Sequence, residues 1–114
     1  MKTNVRKEGN AVIVSIGGRL TYENTDTFKE SLIKLQEDSK KDQVVFDLTE
    51  LEFVGSSGIS AFVQTLRDFN IRHPQKPRYT NVRNEFKRIM LAFDETGSFE
   101  FYDSAERALR KLDN

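Results

Sequence analysis

Cysteine is absent from the 114 residues, which removes disulfide frameworks, thiolate nucleophiles and thiolate metal sites together. Histidine occurs once, as His73 ahead of Pro74. One histidine without cysteine leaves a transition-metal cluster short of its usual ligands, and a lone histidine before a proline reads as a solvated loop residue. Neither sign of charge is in excess, because 18 Lys plus Arg balance 18 Asp plus Glu. That disfavours nucleic acid as the main partner, since binding a phosphate backbone draws on a basic surplus. No apolar run approaches the roughly 20 residues that cross a bilayer. The opening Met1-Lys2-Thr3-Asn4-Val5-Arg6-Lys7-Glu8 has no apolar signal core. The expectation is a cytoplasmic protein with no membrane insertion, no metal and no cofactor.

What is present is enough apolar material for one ordinary core: 37% hydrophobic residues in a chain of single-domain length, read as one domain over residues 1–114. Val5 to Lys7 reads as a short edge strand turning at Glu8-Gly9-Asn10. Ala11 to Ile16 alternates, with Val12, Val14 and Ile16 on one side and Ile13 and Ser15 on the other. After Gly17-Gly18, a loop through Arg19-Leu20-Thr21-Tyr22-Glu23 leads to a helix capped by Asn24 or Asp26, with Phe28, Leu32 and Leu35 at helical spacing. Gln43 to Leu48 is a continuous apolar run, as expected of a strand covered on both faces. A helix starting near Ser57 carries Ile59, Phe62, Val63, Leu66 and Phe69. A weaker strand follows around Arg78-Tyr79-Thr80. A third helix, capped by Asn81 or Asn84, repeats Phe86, Ile89, Met90 and Phe93 and stops by Gly97. Phe99 to Tyr102 is a short strand. Asp103 to Glu106 has the capping-box spacing, with Asp103 as cap, ahead of Ala105, Ala108, Leu109 and Leu112. The order is ββαβαβαβα, an α/β fold in which a small mixed sheet is covered by about four helices.

Chemistry concentrates at Gly55-Ser56-Ser57-Gly58, where a buried strand and a short connection give way to a helix. Helix N-termini carry unpaired N–H groups and partial positive charge. A serine there caps the helix or holds a phosphate beside those donors, and spacing alone favours the cap. No His or Lys is set by sequence to act as base for Ser56, so a serine hydrolase is not expected. The glycines are too closely spaced for a Walker loop, and its lysine is absent. Asp42, Asp47, Glu50 and Glu52 show no general acid and base at fixed separation. The chain is therefore read as a non-enzyme. Leu20, Tyr22 and Ile59 are expected at the same end of the sheet, where exposed apolar residues form a binding patch.

The segment Asp47-Leu48-Thr49-Glu50-Leu51-Glu52-Phe53-Val54-Gly55-Ser56-Ser57-Gly58-Ile59 resembles the STAS domain, the fold of bacterial anti-sigma factor antagonists and of sulfate-transporter cytoplasmic domains. Gly18-Arg19-Leu20 and the stretch from Glu95 to Leu109, including Thr96, resemble the flanking parts of the same family. The resemblance implies a protein-interaction switch that binds an anti-sigma factor or a related serine kinase and is phosphorylated on the first serine of the motif, here Ser56. Ser57 keeps the reading that spacing gives it, as the structural cap. The resemblance also implies a partner face containing Leu20, Thr21, Tyr22, Gly55, Ser57, Gly58 and Ile59. One position departs from the family pattern, since Gly55 stands where an aspartate is usual. The alternatives kept open are a scaffold subunit of a transporter or signalling complex that is not phosphorylated, and a module binding a small anionic ligand or nucleotide. Oligomeric state is not readable from the sequence.

Overall fold

The computed structural model describes residues 1–94 and 97–110. The readings at Glu95, Thr96 and Leu112 lie outside the described residues. The elements are β1 (Lys2–Glu8), β2 (Ala11–Leu20), a 3-10 turn (Tyr22–Asn24), α1 (Thr25–Asp38), β3 (Gln43–Asp47), β4 (Leu51–Val54), α2 (Ile59–Arg72), β5 (Arg78–Thr80), α3 (Asn84–Ala92), β6 (Glu100–Tyr102) and α4 (Ala105–Arg110). The sheet runs β1-β2-β3-β5-β6, with β4 paired to β2 off this path. The β1–β2 hairpin is antiparallel, and every other pairing is parallel.

The sheet is mixed and covered by four helices, as the periodicity implies, but it has one strand more than the sequence pattern predicts. The stretch read as a short connection contains β4. Its burial runs buried, exposed, exposed, buried, so Glu52 and Phe53 both face out and period two is lost. The cause is a register shift between Gly18 and Arg19 in β2, opposite β4.

Alternation decides which helix covers which face. Val12, Val14, Ile16, Val44 and Phe46 point into the main core with Phe28, Leu32 and Leu35 of α1, Phe62, Val63, Leu66 and Phe69 of α2, and Phe86 and Met90 of α3. Ile13 and Val45, between those positions, point the other way and meet Ala108 of α4. Each large apolar side chain buried in this way contributes roughly 1.5–3 kcal/mol. Phe93, expected on the α3 stripe, falls one residue past the helix and is 44% exposed.

Several end signals differ from expectation. Asn24 does occupy the N-cap position of α1, but its side chain makes no cap hydrogen bond to that helix. Arg83, not Asn81 or Asn84, precedes α3. Asn81 adopts a left-handed φ of 56° and donates to the Asp47 carboxylate at 3.1 Å. At α4 the cap acceptor is Ser104, whose Oγ receives the Arg107 N–H at 3.2 Å, while Asp103 pairs with the Arg107 side chain. His73 is buried rather than solvated, being only 4% exposed. Its Nε2 donates to the Asp42 carbonyl at 2.6 Å, its Nδ1 lies 3.0 Å from the Gln36 amide nitrogen, and its ring stacks on Phe69. These partners come from α1 and the α1–β3 loop, far from His73 in sequence, so local pattern gives no sign of them.

Candidate functional site

The second half of β2 carries the site. β3 pairs with β2 only as far as Ser15, and β4 takes over from Gly18 to Leu20. The Leu20 side chain is fully buried in the core, so it offers no surface to a partner, contrary to the expectation of an exposed residue. Its carbonyl contributes instead, accepting the Gly55 N–H at 2.8 Å. The Gly55 carbonyl then accepts the Gly58 N–H at 2.8 Å, closing a tight turn. The Gly58 carbonyl accepts the Phe62 N–H at 2.9 Å, the first backbone bond of α2.

Ser56 and Ser57 are both exposed on this turn. The N-cap of α2 is Gly58, and no side chain caps the helix. The expectation that Ser57 is the cap is therefore corrected: closure of the Gly55–Gly58 turn starts the helix later and leaves both serines outside it. Neither hydroxyl has a hydrogen-bond partner among the described residues. The first turn of α2 contains no acidic residue, so no carboxylate there opposes negative charge at this helix start.

A second loop supports the turn. Gly58 is buried, and a β-carbon there would touch Thr25 Cγ2 at 3.6 Å and the Thr21 carbonyl carbon at 3.7 Å. The Thr21 N–H donates to Asn24 Oδ1 at 2.8 Å, and Asn24 Nδ2 donates to the Arg19 carbonyl at 2.9 Å. Asn24 therefore fastens the Arg19–Thr25 loop beside the serines. Thr21 is half-buried in that loop and Ile59 is half-buried against the core. Tyr22 projects outward with 74% exposure.

Two further residues belong to this surface. Phe53 is 41% exposed, and its ring edge lies 3.4 Å from where a Gly55 β-carbon would stand. The exposed Arg19 places its guanidinium 4.6 Å from the centre of the same ring. Phe53 was missed because β4 breaks period two and so reads as a short connection with no assigned face. Tyr22, Phe53 and Arg19 are residue types enriched at protein interfaces. Among the described residues, no group of three or more His, Asp or Glu side chains converges as a metal site would. None of the described helices is long and apolar enough to cross a membrane.

Fold and site together define a small α/β domain that offers a serine-bearing turn and an adjoining aromatic surface at one end of its sheet. The STAS domain family model matches residues 2–108, and the chain belongs to that family. Its fold is similar to an anti-sigma factor antagonist from Mycobacterium paratuberculosis, at 18% identity and a TM-score of 0.75, covering 99% of this chain and 94% of that one. It is similar to the Bacillus cell fate determinant SpoIIAA in its phosphorylated form, at 11% identity and a TM-score of 0.66, covering 97% and 99%. It is also similar to part of the murine Slc26a9 anion transporter, at 14% identity and a TM-score of 0.72, covering 95% of this chain and 18% of that one. At these identities the likeness establishes the fold.

Proposed function

We propose that the protein is a cytoplasmic, non-enzymatic anti-sigma factor antagonist, a binding switch controlled by phosphorylation of Ser56. The carrying observation is that Ser56 stands exposed and unpartnered on a turn whose backbone is held at both ends by hydrogen bonds. A partner kinase would transfer the γ-phosphoryl group of a nucleoside triphosphate to Ser56 Oγ, with loss of the hydroxyl proton and departure of the diphosphate. The product carries about −1.5 to −2 charge at neutral pH. Because the hydroxyl supports nothing inside the fold, the charge acts on the partner through repulsion and desolvation. The partner is an anti-sigma factor or a related serine kinase, docked over Thr21, Tyr22, the Gly55–Gly58 turn and Ile59. Phosphorylated SpoIIAA, a protein of the same fold, supports the reading.

The test is intact-mass and site analysis of the protein from its own cells, with binding measured for Ser56→Asp and Ser56→Ala. The reading expects one phosphate on Ser56, both variants folded, and affinity lost only in Ser56→Asp. Unchanged affinity in Ser56→Asp overturns it. A second reading is a scaffold subunit that binds without being phosphorylated. Gly55 favours it, as the family's usual carboxylate is missing beside the serines, and so does the likeness to part of a transporter. A stable partner with no phosphate under any growth condition supports that alternative.

A further inference from the structure

Arg6, Arg83, Arg107 and Arg110 pair with carboxylates, and Arg67 and Arg78 donate to backbone carbonyls. Arg19, Arg72 and Arg88 neither pair with a carboxylate nor donate to a backbone carbonyl among the described residues, and of these three only Arg19 lies over an aromatic ring. Its guanidinium lies over Phe53, 4.6 Å from the ring centre, with its planar set of N–H donors unused. β2–β4 pairing sets Arg19 opposite Phe53, and the Phe53 ring abuts Gly55, the residue before Ser56. A preformed, unpaired cation thus sits one ring away from the phosphorylatable turn. Gly55 leaves no carboxylate at position 55 to compete for it.

We propose that Arg19 is the internal receptor of a phosphate on Ser56. A guanidinium suits this role because its donors match phosphate oxygens two at a time, which an ammonium cannot do. In the unmodified protein, Arg19 lies over Phe53 and forms part of the surface shown to the partner. In the phosphorylated protein it turns toward the phosphate and leaves the ring. Phosphorylation then changes the face twice, by adding charge and by dismantling the Arg19–Phe53 platform.

This inference rests on the Ser56 reading, and its test is independent of any natural kinase. Phosphoserine is incorporated at position 56 during translation, and the phosphorus resonance is followed through a pH titration. The second ionisation of a phosphoserine ordinarily has its midpoint at about pH 6. Loss of an adjacent guanidinium in Arg19→Gln is expected to raise that midpoint by roughly 0.2–0.7 unit. Arg19→Lys, which keeps charge but not the planar fork, is expected to fall between the two. Coincident titrations with and without the Arg19→Gln substitution overturn the proposal. Absence of phosphate in the native host defeats the Ser56 reading, whereas the titration alone decides whether Arg19 receives the phosphate.

Discussion

A β-carbon on Gly17 would lie 2.7 Å from the β-carbon of Glu50. β2 and the β3–β4 connection approach this closely because the Gly18 N–H donates to the Glu50 carbonyl at 2.9 Å. Glu50 meets Gly17 with the part of its side chain nearest the backbone, so rotation of its far end gives no relief. Gly17→Ala is expected to cost about 1–3 kcal/mol, the range for forcing atoms into a packed site. Urea unfolding should show a lower midpoint at an unchanged slope. A wild-type midpoint would mean that the two segments part freely.

Position 55 behaves differently. A β-carbon on Gly55 would meet Phe53 at 3.4 Å and the Leu20 carbonyl at 3.5 Å, which are ordinary contacts. Its backbone is outside the left-handed region. Gly55→Asp, which restores the family's usual residue, is expected to change stability by no more than about 0.5 kcal/mol. Thermal melting checks that figure. Phosphorylation of Ser56 by a cognate kinase should become faster, and a slower rate would show that the glycine is itself what the kinase requires.

Tyr79 is fully buried and its hydroxyl donates to Asn70 Oδ1 at 2.6 Å. Burial pushes its ionisation well above 10, assisted by the charge of Asp94 and only partly opposed by the Asn70 hydrogen bond. The folded value exceeds the unfolded one, so the stabilisation is complete below about pH 10 and is lost as pH rises further, by up to about 1.4 kcal/mol per unit. Tyr102 is raised too, by burial and by Glu100, and acts in the same direction. Tyr79→Phe should therefore flatten part of the alkaline decline between pH 9 and 11. At pH 7 it should cost about 1–2 kcal/mol by leaving the Asn70 oxygen without its donor. Parallel urea midpoints across that range decide both points.

Asp47 carries the opposite sign. Partial burial pushes its carboxyl up, but hydrogen bonds from Thr49 and Asn81, with the charge of Arg6, outweigh this and hold it below its usual 3.8. The stability it contributes is present above that value and disappears as pH falls through the lower, folded one. Asp47→Asn is expected to cost about 1 kcal/mol at pH 7 and to flatten the acid limb of the stability curve. An acid limb identical to wild type would show that Asp47 plays no part in it.

Regular periodicity made most of the architecture readable. Val44, Val45 and Phe46 announced a strand covered on both faces, and Phe62, Val63, Leu66 and Phe69 a helix against it. The unread strand, β4, breaks period two because of a register shift in its partner, and that shift also turns Phe53 outward. The placement of the Leu20–Tyr22 stretch at the same end of the sheet as Ser56 was legible from the order of strands and helices. The Arg19–Phe53 stack was not, since it depends on pairing between strands that lie far apart in the chain. Leu20 shows the same limit in reverse: an apolar residue in a loop-like stretch looks available until the end of β2 draws it into the core. His73 looked solvated for a related reason, as its partners Gln36 and Asp42 lie on distant segments.

The divided pairing of β2 has a kinetic consequence. Its first half is zipped between β1 and β3, whereas its last residues hold only the short β4 along that edge. Amide protons in the first half should exchange with solvent only when the whole domain unfolds. Those from Phe53 to Gly58 should exchange through openings confined to β4 and its turn, at a smaller free-energy cost. A kinase that needs Ser56 in an extended segment can then capture that local opening while Val14, Val44 and Phe46 remain packed.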